Sequence, residues 1–427
     1  MKTEYTLLCL GTGAEIEDTD LQLESGKSEK PAFLRAIYEK KKLELGPESD
    51  GLFRYASWLP VNRQVNGSSA PVTYKSEGLA RTLGLDNLYI TFSGFWPDRN
   101  GGMVSGTFKE CEAYSVCARL PEGFDDVLVV ASAGNTARAF VHVCSQNRIP
   151  LVAVIPERCI PAIWVNHEID PCVRIIAAGG ISDYFDAIAL SNTICGLSGF
   201  VPEGGAKNVA RRDGMGTTVL SAVTEIGEIP DCYFQAVGSG TGAIAAWEAN
   251  LRLLEDGRFG EKKMRLMLSQ NAPFTVLVDS WKRRQRNLAD ISPEKARALS
   301  DQMYAKVLSN RVPPYSVIGG LFDALQDTGG EMYAASNIEA IEAGDLFLRT
   351  EGVDIAPAAA VAVSSLQQAV ISGEVDKTNL IMLNITGGGY AKLEEAGKVR
   401  PIKPNIVINP DQGDQESVRK ALSPLFS

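Results

Sequence analysis

Between residues 126 and 195 short, largely apolar runs alternate with helix-length segments, and few folds accept that rhythm. Asp126-Val-Leu-Val-Val-Ala131, Leu151-Val-Ala-Val-Ile155 and Val173-Arg-Ile-Ile-Ala177 read as strands. The segments after them read as helices: one running to about Gln146, one beginning near Ala162, and one over 182–195 with Asp183 near its cap. A strand without polar alternation is covered on both faces. The pattern therefore predicts an α/β fold with a parallel sheet between two layers of helices.

The rhythm returns downstream. Residues 213–225, 320–326, 338–350 and 358–371 read as helices, and 232–237, 266–268, 332–334 and 379–384 as strands. Residues 275–315 interrupt with a basic, helix-prone insertion, and the tail beyond 400, carrying Pro and Asp, reads as peripheral. Upstream, 88–92 reads as a strand. The segment 33–45 reads as a helix, stopped by Gly46-Pro47. A chain of 427 residues buries a large core and is expected to divide into two domains.

Composition excludes several classes of function. A net charge of -10 argues against nucleic acid as the main partner, since a surface that neutralises phosphates needs a cationic excess. The basic cluster Lys282-Arg283-Arg284 with Arg286 reads as a solvated helix face. The eight cysteines form no Cys-x-x-Cys pair, and only His142 and His167 could complete a metal site. The thiols are read as reduced. The longest uncharged apolar stretch, 355–372, contains Pro357, two serines and two glutamines and reads as a buried helix, not a membrane span. The expected location is the cytoplasm.

Chemistry concentrates in one lysine and four loops. Lys109 follows the small turn Ser105-Gly-Thr-Phe and heads a helix running through Ala118. Held away from solvent, such an amine loses pKa and becomes available to form a Schiff base, above all with pyridoxal phosphate. Gly238-Ser239-Gly240-Thr241-Gly242 lies between a strand and a helix and reads either as a phosphate cradle or as a tight turn. Ser132-Ala-Gly-Asn135-Thr136 reads as a carboxylate loop or as a helix cap. Thr386 with Gly387-Gly-Gly389 allows close approach of something flat or anionic, or simply a loop with positive φ angles. Lys207, Arg211 and Arg212 place three cations beside the Gly204-Gly205 hinge, suited to a substrate phosphate or to a solvated helix start. Ligands in open α/β sheets sit beyond the carboxyl ends of strands, so these loops together outline a cofactor cradle.

The order of these motifs, over about residues 55–390, resembles the fold-type II pyridoxal-phosphate enzymes. Threonine synthases are the nearest well-known group. Tyr74-Lys-Ser-Glu-Gly-Leu-Ala80, Leu88-Tyr-Ile90, and Glu351-Gly352 followed by Pro357-Ala-Ala-Ala360 belong to the same resemblance. Threonine synthases usually read Phe-Lys-Asp-Arg at the lysine, whereas Glu110-Cys111 follows Lys109 here. The segments Ser105-Gly-Thr-Phe-Lys-Glu110, Val201-Pro-Glu-Gly-Gly-Ala-Lys-Asn-Val-Ala-Arg-Arg212, Tyr233-Phe-Gln-Ala-Val-Gly-Ser-Gly-Thr-Gly242 and Pro313-Pro-Tyr-Ser-Val317 are more similar to the archaeal cysteate synthases of coenzyme M biosynthesis.

The resemblance implies a tryptophan synthase β-like architecture: two doubly wound α/β domains with the cofactor between them. The larger is expected from 1–118 and 207–427, and the smaller, mobile one from 119–206. It implies that Lys109 carries pyridoxal 5'-phosphate as a Schiff base and shuttles the α-proton. Asn135 would contact the phenolic oxygen, Thr386 the ring nitrogen, and Gly238, Ser239, Gly240, Thr241 and Gly242 the cofactor phosphate. Ser132 and Thr136 would take the substrate carboxylate. The cysteine pairs that some relatives carry near the start are absent, with only Cys9 there, so no metal is expected. Charge alone makes Lys75, Lys207, Arg211 and Arg212 candidates for the substrate phosphate or the incoming sulfite. The implied reaction is a β-replacement on O-phospho-L-serine by sulfite to give L-cysteate in a homo-oligomer. Two alternatives stand beside it: a threonine synthase acting on O-phospho-L-homoserine, and a silent regulatory module that binds a phosphorylated ligand.

Overall fold

The computed structural model describes residues 2–19 and 21–426. Three strands open the chain: β1 (Tyr5–Cys9), β2 (Glu15–Ile16) and β3 (Leu34–Tyr38), antiparallel in the order β2-β1-β3. The helix expected over 33–45 is thus a strand. Leu34, Ala36 and Tyr38 are buried while Arg35 and Ile37 between them are not, a period of two that pairing with β1 enforces over helix propensity.

The larger sheet has six strands. In chain order they are β4 (Val72–Lys75) and β5 (Asn87–Phe92) and, after a long excursion, β10 (Cys232–Ala236), β11 (Arg265–Asn271), β12 (Glu331–Ala335) and β13 (Leu380–Ile385). That excursion builds the smaller sheet from β6 (Val127–Ala131), β7 (Leu151–Pro156), β8 (Val173–Ala178) and β9 (Phe200–Pro202), to which β14 (Ile406–Ile408) is added at the end. The larger sheet runs β12-β11-β10-β13-β5-β4, parallel apart from the β4–β5 pair, and the smaller β9-β6-β7-β8-β14, parallel throughout. Near-continuous burial of β7, β10 and β13 follows from helices covering both faces.

The helices that matter for the site are α1 (Lys109–Arg119), α2 (Asn135–Asn147), α3 (Tyr184–Cys195), α4 (Val209–Ile226), α5 (Thr241–Asp256) and α6 (Pro293–Ser300). Asp183 caps α3 in a capping box, its backbone amide donating to Asp186 at 2.7 Å. The helix expected near Ala162 is a single tight turn, Glu157–Ala162, containing Pro161. It gives way to Trp164–Val165, which pairs with Arg400–Pro401.

The tail, expected to be peripheral, is part of the smaller sheet. Ile406, Val407 and Ile408 pair in parallel with Ile176, Ala177 and Ala178. The following helix, α7 (Gln415–Leu422), buries Val418 and Leu422 in one cluster with Leu190 and Ile194 of α3. The expected boundary assigned all of 207–427 to the larger unit, whereas 406–408 belong to the other sheet. The signal was only three residues of strand, too short to separate from a loop by pattern. Among the described residues no helix is long and apolar enough to cross a membrane.

Candidate active site

A cavity of about 610 Å³ opens where parallel strands of the two sheets end. The loop after β6 (Ser132 to Gly134), the loop after β10 (Val237 to Gly240), Thr386 after β13, and Lys109 at the head of α1 all line it. The turn carrying the lysine is zipped to the loop after β13. The amide of Phe108 and the hydroxyl of Thr107 both donate to the Thr386 carbonyl, at 3.0 and 3.2 Å, and the amide of Gly388 donates to Gly106 at 3.1 Å. A Cβ on Gly387 would stand 2.6 Å from the Gly106 carbonyl oxygen, so only glycine lets these two turns meet.

Lys109 sits in a relay of alternating charge. Its Nζ is 3.0 Å from Glu112 Oε2 and 4.7 Å from the centroid of the Phe108 ring. The other oxygen of Glu112 accepts from the Thr136 hydroxyl at 2.8 Å and lies 3.1 Å from Arg211, which also reaches Glu203 at 2.7 Å. Both carboxylate side chains are buried. Burial lowers the pKa of Lys109 against the opposing pull of Glu112, so the neutral amine becomes easier to reach. Burial likewise raises Glu203, with Arg211 only partly offsetting it.

The glycine loop offers what a phosphate needs. Among the described residues the amides of Gly238, Ser239 and Gly240 donate to no protein acceptor, and they stand at the N-terminus of the sixteen-residue α5. Gly240 has φ +80°, and a Cβ there would meet Leu321 at 2.7 Å. The Asn135 side chain accepts from Arg138 at 3.1 Å through its oxygen, which leaves its NH₂ free to donate. These groups, with the Lys109 amine in the same cavity, fit pyridoxal phosphate: an anion cradle, a donor for the phenolic oxygen, a hydroxyl at Thr386 and a nucleophilic amine.

Of the residues expected from sequence, the structure brings together Lys109, Ser132, Asn135, Thr136, Arg211, Gly238 through Gly242, and Thr386. Ser132 accepts from the amide of Gly134 at 3.1 Å and keeps its own proton for a ligand, whereas Thr136 already gives its proton to Glu112. Three cations lie elsewhere, a correction to the charge-based reading. Lys75 is exposed on edge strand β4, 3.4 Å from Asn87. Lys207 is exposed and paired with Glu24. Arg212 is fully buried, 2.9 Å from Glu248, because one step along α4 turns it about 100° away from Arg211 and into the core. Sequence reasoning missed Glu112, Glu203, Asp183 and the cavity-lining arginines Arg158, Arg297 and Arg311. Only Lys109-x-x-Glu112, a pair at helical spacing, left a readable signal.

Comparison with known proteins agrees with this geometry. A family profile described as "Pyridoxal-phosphate dependent enzyme" matches residues 74–387. A cysteate synthase of Methanosarcina acetivorans is 48% identical over 95% of this chain and 97% of its own length. Those of Methanoregula boonei and Methanoculleus marisnigri are 46% and 45% identical, over 96% and 99% of this chain and 95% and 97% of their own lengths. Among solved structures, maize serine racemase matches with a TM-score of 0.57 at 15% identity, covering 77% of this chain and 93% of its own. Threonine deaminase isoform 2 of Solanum lycopersicum matches with 0.53 at 17%, covering 79% and 95%. At such low identity these two show the fold alone, which is that of the fold-type II enzymes. With its lysine, its anion cradle and its closely related sequences all in agreement, the chain belongs to the pyridoxal-phosphate-dependent enzymes and, within them, to the cysteate synthase family.

Proposed function

We propose that the chain makes L-cysteate by β-replacement, sulfite taking the place of phosphate on the β-carbon of O-phospho-L-serine. The observation that carries this reading is the opening of the Lys109 amine into the same cavity as the unpartnered amides of Gly238, Ser239 and Gly240. The cysteate synthases at 43–48% identity supply the product.

Bound pyridoxal phosphate contributes an electron sink for the charge left when the α-proton departs. The protein does the rest. The amides of Gly238, Ser239 and Gly240 would hold the cofactor phosphate, the Asn135 NH₂ would donate to the phenolic oxygen, and Thr386 would meet the ring nitrogen. Ser132 donates to the substrate carboxylate. Lys109, its neutral form favoured by burial, takes the α-proton and later returns it, while Glu112 holds the amine on its path. The β-carbon–oxygen bond breaks with its electron pair leaving on phosphate, and the sulfur lone pair of sulfite forms the new carbon–sulfur bond. No electrons are gained or lost overall.

The reactants are small anions, and we place the reaction in the cytoplasm of a cell with reduced thiols, in keeping with eight free cysteines. A homo-oligomer remains part of this proposal, checked by light scattering. The test of function is phosphate release by the cofactor-loaded protein, offered phosphoserine with and without sulfite, and phosphohomoserine separately. Sulfite-dependent release with cysteate formed is the expected result. Release from phosphohomoserine alone overturns the reading. Lys109→Ala is expected to lose the absorbance of the lysine-bound cofactor together with all turnover.

A further inference from the structure

The cavity carries a second concentration of charge, at the end remote in sequence from Lys109. Asp183 is the hub. Its Oδ1 accepts the amides of Phe185 and Asp186 at 2.8 and 3.4 Å, which caps α3. Its Oδ2 accepts Arg297 Nε at 3.1 Å and Arg311 Nη2 at 2.7 Å. One carboxylate thus answers two guanidinium groups and has no oxygen to spare. The Arg311 guanidinium is fixed further by the Phe185 ring, 4.0 Å away, and by the Pro293 carbonyl at 3.4 Å.

Beside this trio, Arg158 and Lys306 share Asp301. Arg158 lies 3.6 Å from its carboxylate, and Lys306 donates to its backbone carbonyl at 2.6 Å. All six residues line the cavity, and Asp186 just outside the lining lies 3.8 Å from Arg297, so this wall sets four cations against three carboxylates. The contrast with Arg211 is sharp, since that guanidinium is matched by Glu112 and Glu203. Nor does the cofactor phosphate need these cations, because the amides after β10 serve it. The remaining positive charge faces a cavity that small anions enter, and its field favours an anion there.

We propose that Arg297 and Arg311, gathered on Asp183, form a binding site for a doubly charged oxyanion of the reaction, either incoming sulfite or the phosphate of phosphoserine. The inference rests on the β-replacement reading above and assigns its anion site. Planar guanidinium groups donate two N–H bonds at once to such an anion, and Asp183 fixes their spacing before the anion arrives. Arg297 comes from α6 and Arg311 from the strap behind it, both within the basic insertion between β11 and β12, while Asp183 caps a helix of the smaller sheet.

The test compares cofactor-loaded wild type with Arg311→Ala, Arg311→Lys and Arg297→Ala. Initial rates are measured against each substrate in turn, with inorganic phosphate and sulfate as unreactive probes. Cofactor absorbance and thermal unfolding show that each variant is intact. Arg311→Ala is expected to raise KM for one anion about tenfold or more, and to weaken inhibition by phosphate and sulfate similarly. Arg311→Lys is expected to fall between. A rise confined to sulfite assigns the site to the nucleophile, and one confined to phosphoserine assigns it to the leaving phosphate. Unchanged KM and inhibition in both alanine variants overturn the proposal, as does a fall in kcat alone. Arg297→Ala, whose side chain is 40% exposed, carries the test if Arg311→Ala does not fold. A wild type that forms no cysteate overturns the β-replacement reading instead. The anion site is then judged by thermal stabilisation with phosphate, expected in wild type and lost in the variants.

Discussion

Glu112 stands one helical turn beyond Lys109 and holds its amine at 3.0 Å, while its other oxygen engages Thr136 and Arg211. This carboxylate raises the lysine pKa against the larger, lowering effect of burial. Glu112→Gln removes the charge and keeps the shape. Without it the Lys109 pKa falls further, so the neutral amine persists to lower pH. The acid limb of the kcat–pH profile is expected to move to lower pH, and kcat to fall about tenfold or more as the amine loses its hold. A profile unmoved on its acid side would remove Glu112 from this role.

Glycine at 240 is a backbone requirement of the anion cradle. Its φ of +80° and the 2.7 Å approach of Leu321 leave no room for a side chain. Gly240→Ala is expected to displace the amides, at about 1–3 kcal/mol of strain, and to raise the dissociation constant of pyridoxal phosphate about tenfold. Absorbance titration of cofactor-free protein measures this directly.

Glu110 follows the lysine and is fully buried, with its Oε2 accepting the Ser105 amide at 2.8 Å and its Oε1 unpartnered among the described residues. Burial pushes its pKa up to about 7, from 4.5. An acid raised on folding binds its proton more tightly in the native state. Its effect is therefore a loss of stability as pH climbs from about 4.5 to about 7, complete above that, at about 3 kcal/mol. Glu110→Gln keeps the bond to Ser105 and is expected to be the more stable protein at pH 8 but not at pH 4.5. Denaturant unfolding of both proteins at the two pH values decides it.

The cations that lie away from the cavity make a complementary prediction. Lys75→Ala and Lys207→Ala are expected to leave kcat and both KM values unchanged. Arg212→Ala takes from the buried Glu248 its 2.9 Å partner, leaving Arg35 at 3.3 Å and the field of Arg252, and is expected to lose about 3–5 kcal/mol of stability. Steady-state kinetics and thermal unfolding separate the two outcomes.

What could be read from sequence was whatever depends on neighbours in the chain. The loops at 132–136 and 238–242 lie between a strand and a helix, and glycine marks that junction wherever backbone must come close to a ligand. The lysine announced itself by its turn. The carboxylates did not, because Glu203 meets Arg211 only past the Gly204-Gly205 turn, and Asp183 meets Arg311 from 128 residues away in the chain. Arg211 and Arg212 are adjacent in sequence and opposite in fate, a difference set by helical phase and not by residue type. The segment 33–45 failed for a similar reason, its helix-favouring side chains being overruled by a partner strand nearly thirty residues away.

The C-terminal strand has a consequence for how the molecule is made. A ribosome delivers β6, β7, β8 and β9 together, but the outer edge of β8 must wait for Ile406 through Ile408 while most of the larger sheet is synthesised. During that interval Ile176 and Ala178 border an open, hydrogen-bond-hungry edge, the feature that recruits foreign strands. The nascent smaller sheet thus keeps an unpaired edge strand until Ile406 through Ile408 emerge and cover it.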